Sequence, residues 1–171
     1  MKDFDAIVIG AGSGGLTSAI GLTKVGKKVL LIEKEFMGGD CTNFGCIPSK
    51  TLIHHAQEYF TAVSLAGETP KLKKYKESIL GRVRKMVLNI RKEESPAKLE
   101  KHFPGLTVIK GEAKFKDKHH VNVGGKTFCA KRIIIATGSS PRMIEIDGLK
   151  KSETLSNKNI FELKEIPKNL V

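Results

Sequence analysis

Residues 6–15 read AIVIGAGSGG, and the fold turns on how they are understood. A short β-branched run that ends in glycine predicts a strand. The residues beyond it, from about Gly14 to Val25, predict a helix, and KVLLIEK at 28–34 predicts a second strand. Between the first strand and the helix, Gly10, Gly12 and Gly15 keep the G-x-G-x-x-G spacing. At that spacing the first glycine permits a tight strand-to-helix turn. The second lets a pyrophosphate approach the backbone, and the third lets helix and strand pack closely. The start of the helix adds unpaired N–H groups and a partial positive charge. Glu33 closes the second strand 21 residues beyond Gly12, where a carboxylate can accept hydrogen bonds from a ribose. A glycine turn that serves packing alone is the competing reading. The strand before it, the helix after it and the acid in place favour a dinucleotide.

Working outward, GETP at 67–70 signals a loop, a basic helix is expected from about Tyr75, and Pro96 breaks or restarts it. From Leu106 the pattern turns strand-like through LTVIKG, EAKFKD, HHVNV and KTFCA, with Gly124-Gly125 as a hairpin turn. RIIIATG is then a continuous apolar strand of the kind buried in a parallel sheet, ending in Thr137-Gly138. The expectation is one α/β domain, a parallel sheet with helices, carrying an antiparallel β-meander insertion at about 106–130.

Composition narrows the function classes. The chain of 171 residues, 40% hydrophobic and 28% charged, reads as a globular domain with one core. No apolar run reaches the roughly 18 residues that cross a bilayer, and MKDFDAIVIG carries neither a basic lead nor a small-residue cleavage site, so a cytoplasmic location is expected. The net charge of +12 lies entirely after residue 60, since residues 1–60 hold six Lys against six acids. Its densest part is 71–92, with Lys71, Lys73, Lys74, Lys76, Arg82, Arg84, Lys85, Arg91 and Lys92 against the single acid Glu77. Nucleic acid could be drawn to such a segment. However, Ile79, Val83, Met86, Val87 and Ile90 recur at helical spacing through it, which makes the charges the solvated face of an amphipathic helix. Neither a nucleic-acid nor a membrane partner is expected.

The second chemical signal is GGDCTNFGCIPSK at 38–50, which holds two of the three cysteines. Three cysteines are too few for a secreted disulfide framework, and a close pair suggests redox or metal chemistry. Five residues of ideal helix rise about 7.5 Å, beyond the roughly 7 Å limit on Cα separation in a disulfide. Cys41 and Cys46 can therefore bridge only if the backbone between them leaves the helix, a freedom Gly45 supplies. Pro48 suits the first turn of the helix that follows. Cys46 then sits at a helix N-terminus, where the dipole favours a thiolate, with Lys50 one turn on. The arrangement reads as a redox disulfide. Two other readings compete. Zinc would have to recruit Cys129, His54 and His55, whose spacing matches no zinc module, and two unrelated buried thiols would leave the flanking glycines, Pro48 and Lys50 unexplained. His54 and His55 are expected to be ordinary helix residues and Cys129 a packed thiol.

Together the glycine fingerprint, the acid closing the second strand, G-G-x-C-x-N-x-G-C-x-P-S-K and the later ATG resemble the class I pyridine nucleotide-disulfide oxidoreductases. That family includes dihydrolipoamide dehydrogenase, mercuric reductase and glutathione reductase. The resemblance covers nearly the whole chain and implies a Rossmann-like domain whose dinucleotide is FAD. It implies that Gly10, Gly12 and Gly15 cradle the pyrophosphate and that Glu33, with Lys34 beside it, holds the adenosine ribose. Gly39, Asp40 and Lys50 would lie along the flavin. The GEA at 111–113, ending in Ala113, would meet the adenine, and Thr137 and Gly138 would form a second FAD contact. The implied chemistry passes electrons from NAD(P)H through FAD to the Cys41–Cys46 disulfide. Cys46 would be the thiolate beside the flavin and Cys41 the thiol that exchanges with a small-molecule disulfide or metal-ion substrate. Asp40 stands where the family commonly has threonine, and Phe44 where it has valine. Ser49-Lys50 is closer to lipoamide dehydrogenases and mercuric reductases than to glutathione reductases.

After KEIPKNLV the family continues into a second glycine fingerprint for NAD(P) and an interface domain that supplies a His–Glu pair. The expectation is thus the N-terminal part of the FAD-binding domain of a longer, homodimeric enzyme, inactive alone. The alternative is a stand-alone flavin-binding module that senses thiols.

Overall fold

The computed structural model describes residues 2–66, 72–149 and 154–170. Two compact units emerge, Met1–Cys41 with Ile90–Ser139, and Thr42–Asn89 with Ser140–Val171.

The first unit is built on one six-stranded sheet. The apolar run before the glycines forms β1 (Lys2–Ile9), the glycines lead into α1 (Ser13–Lys24), and VLLIE forms β2 (Val29–Glu33). The remaining strands are β3 (Leu106–Lys110), β4 (Ala113–Phe115), β5 (His120–Val123) and β6 (Lys126–Ile135). Their order across the sheet is β3-β2-β1-β6-β5-β4. Strands β3, β2, β1 and β6 run parallel, while β5 pairs antiparallel with both β6 and β4. Strand β2 is flanked on both faces. Leu30 and Ile32 join Phe4, Ile7, Val121, Val123, Phe128 and Ala130 on one side. Val29 and Leu31 join Val8, Ala19 and Leu106 on the other, together with Leu99 of α5 (Pro96–His102). Burial on both faces explains why β2 reads as an unbroken apolar run rather than an alternation.

Two expectations about the strands change. LTVIK was expected to open the antiparallel meander, but it pairs parallel with β2 in the register Val29↔Leu106 to Glu33↔Lys110, so the antiparallel part begins at Ala113. KTFCA and RIIIATG, read as two strands, are one. β6 pairs with β5 at its start and with β1 along nearly its whole length, so the charges of Lys131 and Arg132 mark an exposed stretch of a continuous strand and not a break. The hairpin turn is where expected, with Gly124 at φ +56° and Gly125 at φ +82°, both left-handed as a two-residue turn of this kind requires.

In the second unit the segment after the cysteines forms α3 (Cys46–Ala66) and the basic segment forms most of α4 (Leu72–Glu93). Ile79, Leu80, Val83 and Val87 are buried along α4, while Arg82, Arg84 and Lys85 are exposed. The amphipathic reading therefore holds with one exchange, since Met86 faces solvent and Leu80 takes its place in the apolar stripe. Lys71 lies outside the described residues, as do the side chains of Lys73, Lys74 and Lys76. Arg84 has an internal task, donating from Nη1 to the carbonyls of Phe161 and Leu163 at 3.5 and 3.2 Å. Pro96 restarts the chain as the first residue of α5, after Ser95 in the N-cap position. No described helix is long and apolar enough to cross a membrane.

Candidate functional site

The strand order places a topological switch point between β1 and β6, the crevice where open α/β sheets take ligands beyond the carboxyl ends of their strands. The glycine loop lies there. Gly10 has φ +101°, and a Cβ on it would run into the carbonyl of Ala136, the residue after β6. A Cβ on Gly15 would collide with the carbonyl of Gly10. Packing alone thus demands glycine at both positions. Gly12 is different. Its backbone is extended at φ −77° and ψ −173°, which any residue adopts. A Cβ there would meet only the Cα of Gly39, at an ordinary 3.6 Å. The fold does not need Gly12 to be glycine. Gly12 is also the N-cap of α1 and offers no side-chain cap, so the first N–H groups of the helix have no side-chain acceptor from it.

Glu33 holds the other wall. Its Oε2 accepts the N–H of Ala11 at 2.7 Å and its Oε1 accepts the N–H of Glu35 at 2.8 Å, so the carboxylate ties the end of β2 to the glycine loop. Each oxygen keeps a further lone pair for a hydroxyl. Beside it a cleft of about 170 Å³ is lined by Gly10, Glu33, Lys34, Ala113 and Thr137 among others. Five residues expected from the sequence as cofactor-binding thus share one cavity. Its volume is below the roughly 300–1,000 Å³ of a complete ligand pocket. The rest of the GEA segment lies here with Ala113: the Gly111 N–H donates to the carbonyl of Glu33 at 2.8 Å, and both Gly111 and Glu112 line the cleft. Gly138 follows Thr137 at φ +67°.

The cysteine segment begins in the same unit. Gly39, Asp40 and Cys41 open α2 (Gly39–Asn43), which ends before Phe44 and Gly45. Cys46 then begins α3, as expected, with Pro48 fully buried in its first turn. Cys46 is exposed, as is Lys50. The backbone between the cysteines does leave the helix. Cys41 and Cys129 are half-buried, and none of the three cysteines is bridged in this structure. In the second unit Lys158 Nζ lies 4.2 Å from the centre of the Phe44 ring, a contact between residues too distant in sequence to be foreseen. His54 and His55 serve the surface of α3. His54 Nε2 lies 3.2 Å from one oxygen of Glu58 and His55 Nδ1 lies 2.8 Å from the other. The hydrogen bond from His55 holds the Glu58 carboxyl below its usual range. Among the described residues no cluster of three or more His, Cys, Asp or Glu is placed to hold a metal ion.

Comparison with known proteins decides the family. Residues 4–171 match the pyridine nucleotide-disulphide oxidoreductase family. The chain belongs to that family. It is 36% identical over 176 residues to a mercuric reductase of Lysinibacillus sphaericus, covering 98% of this chain and 31% of that protein. It is 37% identical over 182 residues to a dihydrolipoyl dehydrogenase of Bacillus subtilis (strain 168), covering 98% of this chain and 36% of that protein. Among solved structures it resembles the HOCl-induced flavoprotein disulfide reductase RclA from Escherichia coli, with a TM-score of 0.77 at 30% identity over 95% of this chain and 35% of that one. The chain therefore spans about a third of the length of these relatives.

Proposed function

We propose that the chain is the FAD-binding, cysteine-bearing part of an NAD(P)H-dependent disulfide oxidoreductase. Gly12 carries this reading. The fold has no need of glycine there, its lack of a side chain leaves the loop backbone open to close approach, and the uncapped N–H groups of α1 beside it suit a pyrophosphate. The cleft bounded by Glu33, Lys34 and Ala113 suits the adenosine end. FAD, when bound there, supplies two-electron acceptance from NAD(P)H. The residues of this chain bind and orient it, and Cys41 and Cys46 carry the electrons onward. A hydride brings two electrons and one proton. With a second proton from solvent these cleave the Cys41–Cys46 bond to two thiols, and exchange with a substrate disulfide re-forms that bond and releases two substrate thiols. On the family reading Cys41 attacks the substrate and Cys46 faces the flavin, with Asp40 and Lys50 along it. The intact enzyme is a homodimer and its substrate a small-molecule disulfide.

A second reading replaces that substrate with a thiol-binding metal ion. It is favoured by the mercuric reductases among the relatives and by the solved Cu(II) complex of RclA, which aligns with this chain at a TM-score of 0.75 and 30% identity.

The test is a flavin titration of the intact enzyme. Gly12→Ala should weaken FAD binding by about tenfold or more, because a methyl group replaces pyrophosphate contact. Gly14→Ala, where a Cβ meets nothing within 4 Å, should bind as the parent does. Equal binding by both variants would remove the pyrophosphate from the loop. Turnover of NAD(P)H should need both cysteines, and lipoamide, Hg(II) and Cu(II) offered in turn decide between the two substrate readings.

A further inference from the structure

The glycine pair that precedes Cys41 is bound to the nucleotide loop through its backbone. Gly38, at φ +84°, donates its N–H to the carbonyl of Ala11 at 2.8 Å. Gly39, at φ +58°, lies so close to Gly12 that a Cβ on it would stand 2.6 Å from the Gly12 Cα and 3.4 Å from its nitrogen. The obstacle is main chain and has no flexible end to swing aside. Two consecutive residues of the cysteine segment thus dock on two consecutive residues of the loop. Ala11, itself fully buried, donates its own N–H to Glu33 Oε2 at 2.7 Å. Acid, loop and cysteine segment are joined through one alanine.

We propose that Gly39 is a positioning residue: its contact with Gly12 sets how closely the start of α2 rests on the nucleotide loop, and with it the placement of Cys41 two residues on. Gly12 and Gly39 are glycines for different reasons. A Cβ on Gly12 tolerates Gly39 at 3.6 Å, whereas a Cβ on Gly39 does not tolerate Gly12. The contact makes Gly39 a spacer between two backbones, where the family resemblance alone would make it a cofactor contact. Its meaning for electron transfer rests on the function proposed above, but the contact belongs to the fold of the 171-residue chain and can be tested there without FAD.

The experiment compares alkylation of Cys41 by iodoacetamide with that of Cys129 in the same molecule, by peptide mapping. Cys129 lies in β6 and registers loosening of the sheet. Gly39→Ala should raise the Cys41 to Cys129 rate ratio by about fivefold or more as α2 is pushed off the loop. Gly26→Ala is the control, because Gly26 is left-handed at φ +76° with nothing within 4 Å of its Cβ position. It should keep the parent ratio. Gly39→Asn separates contact from conformation, since asparagine tolerates left-handed backbone better than other residues but still carries a Cβ. It should disturb Cys41 as much as alanine does. A parental ratio in Gly39→Ala or in Gly39→Asn overturns the proposal. So does a Gly39→Ala chain in which Cys129 reacts as it does in denaturant, for then the contact holds up the sheet and does not place one thiol. Flavin binding by the parent is measured separately. Its failure would count against the function proposed above and leave the alkylation ratios to decide the role of Gly39.

Discussion

The switch-point end of the sheet and the turns of the meander are made of the same residue types, glycines at positive φ and a carboxylate that accepts backbone N–H groups. At the switch point, Gly10 packs on Ala136 and Glu33 reaches across 22 residues to Ala11. At the meander, Gly124 and Gly125 turn in open space, and Asp117 accepts the N–H groups of His119 and His120, only two and three residues away. The first set holds together segments that are distant in the chain and leaves a cleft between them. The second closes two local turns, Asp117 the one between β4 and β5 and Gly124-Gly125 the one between β5 and β6. Residue type therefore does not distinguish a site from a turn. What distinguishes them is how far along the chain the contacts reach.

The largest difference should come from the glycines. Gly10→Ala combines a left-handed φ with a backbone collision and should cost about 3 kcal/mol or more. Gly125→Ala, with only its φ of +82° to strain it, should cost about 1–2 kcal/mol. Urea unfolding of the two variants measures both, and equal losses would erase the contrast. An intermediate effect is expected from Glu33→Ala. It removes a charged acceptor from the loop and from the proposed ribose, and should weaken FAD binding in the intact enzyme by about 1.5–3 kcal/mol. Unchanged flavin affinity would make Glu33 a second Asp117.

The smallest effect belongs to Asp117 and is read through pH. The His119 N–H, and after it the His120 ring, hold its carboxyl below the ordinary value of 3.8. A carboxylate whose pKa is depressed by folding contributes stability in full above its unfolded value. That contribution is lost as pH falls through the lower, folded value. Asp117→Asn should therefore melt slightly below the parent at neutral pH, and the gap should close on acidification below about pH 4. A gap that widens in acid would mean that the carboxylate is not what closes the turn.

What was legible in the sequence is what depends on near neighbours. The β-α-β unit could be read because an apolar run, three glycines at fixed spacing and an acid at the end of the next strand are a local pattern with one physical explanation. Cys46 at the start of α3, Pro48 in its first turn and the Gly124-Gly125 hairpin could be read for the same reason. Family resemblance then supplied roles to Lys34, Ala113, Thr137 and Gly138, and tertiary structure gathers Lys34, Ala113 and Thr137 with Gly10 and Glu33 around one cleft. Tertiary structure alone decided that LTVIK joins the parallel sheet, since a strand's pattern says which face is apolar but not which neighbour will pair with it. It alone made one strand of KTFCA and RIIIATG, because the partners that unite them, β1 and β5, come from opposite sides of the sheet. It also decided that Gly39 rests on Gly12 and that Ala11 links Glu33 to the cysteine segment. Gly10, Gly15 and Gly39 stand where a side chain is unwelcome. Which atom would meet that side chain is known only once the chain has folded back on itself.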